Sequence, residues 1–310
     1  MASKNSGQNP AKQDFAQQVA SAKINLTLSV TGRTKEGYHQ LVSAVGFSEF
    51  GDTLTITNAP DDGVRLIGPF APMLQDVGGD TLLAKAKALA QQAASRFGYE
   101  ALLSHHITLE KQIPLGGGLG GGSADAAAYL RFISQNWSQE ARLYLRAQSV
   151  SLGADVPACF ENRAHIMTGI GEGAITGKAL GAKAPYMVIA NPQIHADTGA
   201  VFGQFAAMNK GFTVINPNDI AAALSAHDWP AILAIGNDLT PAACQLYPVI
   251  ASLLDEMAEA GAMIGTDFIG HAMSGSGASC FAFLHDEAAA LAYQKRLSDK
   301  GIWAVATRFF

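Results

Sequence analysis

In "KINLTLSV", residues 23–30, the apolar side chains Ile24, Leu26, Leu28 and Val30 alternate with Lys23, Asn25, Thr27 and Ser29. A period of two puts the apolar set on one face of a strand and the polar set on the other. Lys23 and Asn25 therefore share a face turned away from the core. "TGRTKEGYHQ" has turn composition, residues 41–49 are extended, and "FGD" at 50–52 predicts a further turn before the strand "TLTIT". "TLLAKAKALAQQAASRF" is built from strong helix formers, with Asp80 in position to cap it. "HHITLEKQI" returns to an extended pattern, and "SADAAAYLRFISQ" and "QEARLYLRAQSVSL" are helical.

The rest of the chain repeats this mixture. "GIGEGAITGKALGAKAP" reads as a hinge or hairpin ahead of the apolar strand "YMVIA". Helices are predicted at 201–208, 220–225 and 247–259. "HAMSGSGASCFAFL" couples a glycine-serine turn to an apolar strand, and "EAAALAYQKRL" and "WAVATRFF" predict a helix and a strand. The class is α+β, with no internal repeat. Residues 1–20 are expected to be a frayed polar tail, 21–175 a first domain and 176–310 a second.

Composition narrows the partners. The 310 residues are 48% hydrophobic and 15% charged, enough apolar material for substantial cores. A formal net charge of −5 and the lack of a dense Lys/Arg cluster argue against nucleic-acid binding. Cys159, Cys244 and Cys280 are far apart and form no zinc spacing or disulfide framework, and the polar opening has no apolar signal core. A cytoplasmic protein without a membrane span is expected.

The candidate chemistry starts at "IPLGGGLGGGSADAA". Gly116, Gly117, Gly118, Leu119, Gly120, Gly121, Gly122 and Ser123 lead directly into a predicted helix. Such a run brings backbone N–H groups close to phosphate oxygens, and the helix start adds unpaired donors and a positive end. Ser123 either caps the helix or donates its hydroxyl to phosphate. The literal G-x-G-x-x-G at Gly116, Gly118 and Gly121 lacks the strand-end acidic residue of a dinucleotide site, and no lysine precedes Ser123 as a P-loop requires. A plain helix entry or interdomain joint is the competing reading. Lys23 can stabilise negative charge on a transferring phosphoryl group, and Asp155 in "LGADVPA" can orient or deprotonate an alcohol. The alternatives for these two are a surface lysine and an aspartate cap.

"AKINLTLSVTGRTKEGYH", "IPLGGGLGGGSADAA", "LGADVP" and "MSGSGASC" occur in this order. The combination resembles the small-molecule kinases of the galactokinase, homoserine kinase, mevalonate kinase and phosphomevalonate kinase superfamily. More narrowly, "GRTKEGYH" with "LGADVP" resembles the kinases of 4-diphosphocytidyl-2-C-methyl-D-erythritol. The resemblance spans roughly residues 22–283. It implies an N-terminal ATP-binding domain beside a C-terminal substrate domain, with the active site in the cleft between them. ATP with Mg²⁺ would be the phosphoryl donor, and a cytidyl-diphosphate alcohol would be the acceptor, phosphorylated on its 2-hydroxyl in the non-mevalonate route to isoprenoid precursors.

On the same resemblance, the glycine run wraps the ATP phosphates, Asp155 is the base or positioning group, and Lys23 polarises the hydroxyl. Asn25, Tyr38, His39, Thr198 and Phe202 match acceptor-binding positions, with Tyr38 and Phe202 covering the pyrimidine. Gly275, Ser276 and Gly277 form a supporting loop that either carries backbone close to the phosphate loop or turns sharply between strands. No protein metal ligand is assigned. Cys280 reads as packed. Two places depart from the family pattern. Thr81-Leu82 stands where an asparagine-leucine pair is usual near the adenine, and His195, Ala196 and Asp197 replace small or aliphatic residues and a serine or proline. A kinase of another small alcohol and a noncatalytic nucleotide-binding or interaction protein are the alternative functions.

Overall fold

A single twenty-residue strand, β3 (His39–Asn58), organises the first half of the molecule. The computed structural model describes residues 15–59, 62–75, 81–99, 104–171, 173–176 and 184–310. Along one edge β3 pairs antiparallel with β1 (Phe15–Asn25) and β2 (Ser29–Arg33). Along the other it pairs antiparallel with β5 (His105–Glu110) and β6 (His165–Gly169). β4 (Gly63–Ile67), parallel to β5, and β7 (Gly173–Thr176), antiparallel to β6, extend the sheet.

Two expectations are corrected here. Phe15 to Ala20 are not frayed: they pair in register with Thr57 to Asp52, because backbone hydrogen bonding to β3 is available whatever the polarity of the side chains. "FGD" is not a turn either, since β3 runs straight through it. Gly51 is there because β1 crosses close: a Cβ on it would lie 2.3 Å from the carbonyl oxygen of Ala20. Asp80, the expected cap, lies outside the described residues, as does the side chain of Thr81.

Helices α1 (Ala71–Gln75), α2 (Thr81–Phe97), α3 (Gly121–Ile133), α4 (Gln139–Gln148) and α5 (Val156–Glu161) belong to this half. The apolar faces of α2 to α5 close a core over the sheet around Phe47, Leu54, Ile107, Tyr129 and Leu145. The second sheet is antiparallel in the order β11 (Trp303–Arg308), β8 (Tyr186–Asn191), β10 (Cys280–Leu284), β9 (Phe268–Met273). With it go α6 (Thr198–Ala207), α7 (Pro217–Ala226), α8 (Trp229–Ile235), α9 (Thr240–Leu246), α10 (Pro248–Ile264) and α11 (Glu287–Asp299).

A third core lies between the halves. Ala22, Ile24 and Leu26 from the first pack with Ile189, Phe281, Phe283 and Phe309 from the second. This is where the apolar face of "KINL" goes. Its polar positions are buried as well, with Lys23, Asn25, Thr27 and Ser29 all under 5% exposed. The expected single strand is broken, since β1 ends at Asn25 and β2 begins at Ser29, and of these four only Lys23 and Asn25 line the cleft.

Candidate active site

The phosphate-loop candidate begins where β5 ends. Its glycines alternate in backbone hand: Gly116, Gly118 and Gly120 have φ of +66°, +74° and +64°, a region that side chains with a Cβ rarely enter. Gly120 is the N-cap of α3 and makes no side-chain cap. Ser123 lies in the first turn of α3 and so does not cap the helix; it is one of the residues lining the cavity.

The loop touches the Lys23–Asp155 pair. Lys23 Nζ is 2.8 Å from Asp155 Oδ1, with the lysine side chain 5% and the aspartate 34% exposed. Lys23 N–H also donates to the carbonyl of Leu119 at 2.9 Å, tying β1 to the middle of the loop. A Cβ on Gly120 would stand 3.5 Å from Lys23 Cβ and Cε and 3.8 Å from Asp155 Oδ2. Asp155 occupies the N-cap position of α5 but makes no cap hydrogen bond, so its carboxylate is free to turn toward the lysine.

The loop between β9 and β10, carrying Gly275, Ser276 and Gly277, combines both readings offered by its sequence. It turns the chain between two paired strands, and it packs on the glycine loop. Ser279 N–H donates to the carbonyl of Gly117 at 2.9 Å, and Ser274 Oγ donates to that of Gly118 at 3.3 Å while accepting from Asn25 N–H at 3.1 Å. Asn191 Nδ2 holds Ser279 Oγ at 2.7 Å, and Asn237 Nδ2 donates to the carbonyls of Met273 and Gly275. Cys280 is fully buried beside this loop, its thiol pushed well above the usual range by burial, which suits packing and not nucleophilic chemistry.

One cavity of about 540 Å³ gathers most of the candidates: Lys23, Asn25, residues 116–123, Asp155, Thr198, Phe202, Gly275 and Ser276 line it. Leu82 lines it too, as do His195, Ala196 and Asp197. Asp197 is occupied as the N-cap of α6, accepting from Ala200 N–H at 2.6 Å. Thr198 Oγ1 and Ser276 Oγ, both of the second half, are hydrogen-bonded at 2.9 Å on one wall of the cleft. His39 stacks on Phe202 with ring centroids 5.1 Å apart and 19° between planes. That spacing admits no third ring between them, so His39 backs one face of Phe202, which lines the cavity. Burial and the charge of Arg33 hold the His39 imidazole below its usual pKa, so the ring is neutral near pH 7. Tyr38 is 64% exposed at the end of the Thr34–Tyr38 turn and is not among the lining residues.

Beneath the loop is a charged cluster that the pattern of the chain did not announce. Lys111 Nζ lies 2.5 Å from both Asp52 Oδ2 and Asp125 Oδ2, and none of the three side chains is more than 1% exposed. Asp52 Oδ1 accepts the N–H groups of Gln112 and Ile113 at 2.5 and 2.8 Å. The cluster thereby pins the chain entering the loop and, through Asp125 on α3, the chain leaving it. The two carboxylates raise the Lys111 pKa despite its burial. Among the described residues, no group of three His, Cys, Asp or Glu side chains is arranged to hold a metal ion, and no helix is long and apolar enough to cross a membrane.

A glycine loop that closes on a lysine–aspartate pair, between two α+β halves, defines a small-molecule kinase of the GHMP class. Residues 82–163 match the GHMP kinases N terminal domain, and residues 220–302 match the GHMP kinases C terminal domain. The chain belongs to the 4-diphosphocytidyl-2-C-methyl-D-erythritol kinase family. A protein of that name from Rhizobium etli is 41% identical over 84% of this chain and 83% of its own length. Another from a Bradyrhizobium species is 36% identical over 88% of this chain and 89% of its own. The crystal structure of a 4-(cytidine 5'-diphospho)-2C-methyl-D-erythritol kinase superposes with a TM-score of 0.73 at 28% identity, covering 95% of this chain and 99% of that one. A homoserine kinase from Cytophaga hutchinsonii, at 17% identity and a TM-score of 0.61, shares the fold.

Proposed function

We propose that this chain transfers the γ-phosphoryl group of ATP to the 2-hydroxyl of 4-diphosphocytidyl-2-C-methyl-D-erythritol, in the non-mevalonate route to isoprenoid precursors. The close approach of the glycine loop to the Lys23–Asp155 pair carries this reading. It sets a phosphate cradle against a cation and a carboxylate within a single cavity. The names of the relatives supply the acceptor.

The ATP phosphates lie along residues 116–123 and at the N-terminus of α3, where unpaired N–H groups and the positive end of the helix favour anions by roughly 0.3–1 kcal/mol per interaction, more when partly buried. Asp155 aligns the acceptor hydroxyl and receives its proton, while Lys23 stabilises the charge that develops on the transferring group. Because such transfers pass through a loose transition state, alignment matters more than early deprotonation. Mg²⁺ would be carried mainly by the phosphates, neutralising their charge, with the Ser123 hydroxyl as the candidate protein oxygen. Among the described residues no group of three His, Cys, Asp or Glu side chains is arranged to hold the ion by itself. Cytosine stacks on Phe202, which His39 braces, and Tyr38 folds over from the turn at its rim. Asn25, whose Nδ2 is held by Ser43 Oγ at 2.8 Å, presents Oδ1 to the acceptor.

The test is a direct assay of the purified protein with Mg²⁺-ATP and this acceptor, locating the phosphorylated hydroxyl in the product. Acceptor-dependent ADP and a 2-phosphate are expected. ATP binding without transfer would sink the reading, and transfer only to a different alcohol would reassign the substrate.

A further inference from the structure

The cavity is short of positive charge. Among the described residues that line it, Lys23 is the only lysine or arginine, and it is paired with Asp155; Asp197 adds a second carboxylate. The reaction proposed above brings two polyphosphates into this space. The remaining side chain of the wall that can carry a positive charge is His195.

His195 is held in place without being used by the fold. It lies in the loop between β8 and α6, which is anchored on both sides. Asn191 Oδ1 accepts from Gln193 N–H at 2.5 Å before it. After it, Ala196 N–H donates to the Gly116 carbonyl at 3.3 Å and Asp197 N–H donates to Tyr247 Oη at 3.1 Å. The ring itself is exposed, and among the described residues no hydrogen bond or ion pair engages it. It sits against the start of the phosphate loop: a Cβ on Gly116 would fall 1.9 Å from Nδ1 and 2.8 and 2.9 Å from Cε1 and Cγ. The imidazole thus meets Gly116 through its Nδ1 edge and directs the Nε2–Cδ2 edge away from it. In chain order, His195, Thr198 and Phe202 present an imidazole, a hydroxyl and an aromatic face to one cavity. His195 stands three residues before Thr198 at the start of the segment that also carries Phe202, so it lies beside the acceptor-side candidates of the same wall.

We propose that His195 is a specificity-determining contact of this chain for the diphosphate of the acceptor, donating from Nε2 to a phosphate oxygen; this rests on the kinase reading above. The test compares the wild-type protein with His195→Ala and His195→Gln. Acceptor and ATP KM values are measured, together with competitive inhibition by CDP and by cytidine. Losing a charge-assisted hydrogen bond is expected to weaken the acceptor and CDP about tenfold in His195→Ala. ATP KM and cytidine inhibition stay put, and His195→Gln, which keeps a donor, recovers part of the loss. Equal weakening of CDP and cytidine would overturn the assignment, since the ring would then support the base pocket. So would a change confined to ATP, or unaltered CDP inhibition. If wild-type protein shows no turnover of the acceptor, the kinase reading fails by itself, and calorimetric binding of CDP against cytidine to the same three proteins still decides the contact.

Discussion

Asp155 occupies a position where a carboxylate ordinarily accepts an N–H of the helix it precedes, and it makes no such bond. Its carboxylate instead meets Lys23 Nζ at 2.8 Å, with a third of the side chain open to the cleft. Giving up a local partner for a buried cation at the wall of the cavity is what supports the proposed role of Asp155. Asp155→Asn keeps the size and removes the charge that would take the hydroxyl proton. Turnover is expected to fall by about 10²–10⁴-fold, the usual scale of a general base, while ATP affinity changes only a few-fold. Steady-state kinetics beside a calorimetric ATP titration separate the two, and near-normal turnover would remove Asp155 from the mechanism. Lys23 and Asp155 were legible because each stands in a short motif. Asp52 was not, because "FGD" has the composition of a turn, and only the crossing of Ala20 over Gly51 shows why the glycine is there.

The glycine loop acts as an element because other elements hold both of its ends and its middle. Lys111, Asp52 and Asp125 fix where the chain enters and leaves, and the loop between β9 and β10 covers the centre. A linear pattern could signal the glycines and the helix behind them. It could not signal the buried triad: Asp52 and Asp125 lie 59 and 14 residues from Lys111, and the three look like ordinary polar positions of a turn, a helix and a strand. Nor could it say which glycines are constrained by contact. Gly118 has φ +74°, and a Cβ there would lie 2.7 Å from the carbonyl oxygens of both Gly277 and Ser274. Gly118→Ala is therefore expected to cost about 1–3 kcal/mol of stability and to raise the ATP KM. Gly122→Ala serves as the control: its Cβ would meet only Leu82 Cδ2 at 3.7 Å, so stability should hold. Urea unfolding of the pair tests the difference, and an equal response would mean the two loops do not grip each other as described.

Across the whole molecule, the cleft depends on joints between the halves. Phe309 packs into the space a side chain on Gly46 would fill, Phe310 exchanges backbone hydrogen bonds with Phe47, and His39 of β3 stacks on Phe202 of α6. The strand pattern of "WAVATRFF" revealed β11 but not that its final phenylalanines reach the first sheet, since that depends on the size of a residue more than 250 positions earlier. The His39 joint gives the molecule a pH response. Burial, then Arg33, lowers the pKa of His39, and burial lowers those of His165 and His271, each from a starting value of 6.5. These rings are neutral in the folded protein, whereas the unfolded chain takes up protons near pH 6.5. More protons bind the unfolded state in that window, so acid shifts the balance toward it. Stability is expected to be level between pH 7 and 8 and to decline as the pH falls from about 6.5 toward 5, above the range where most carboxylates titrate. Thermal unfolding at constant ionic strength reads this directly. His165→Gln, which removes a ring on the first sheet away from the joint, should reduce the slope without abolishing it, and a melting temperature that rises with acid over this interval would contradict the assignment of neutral rings.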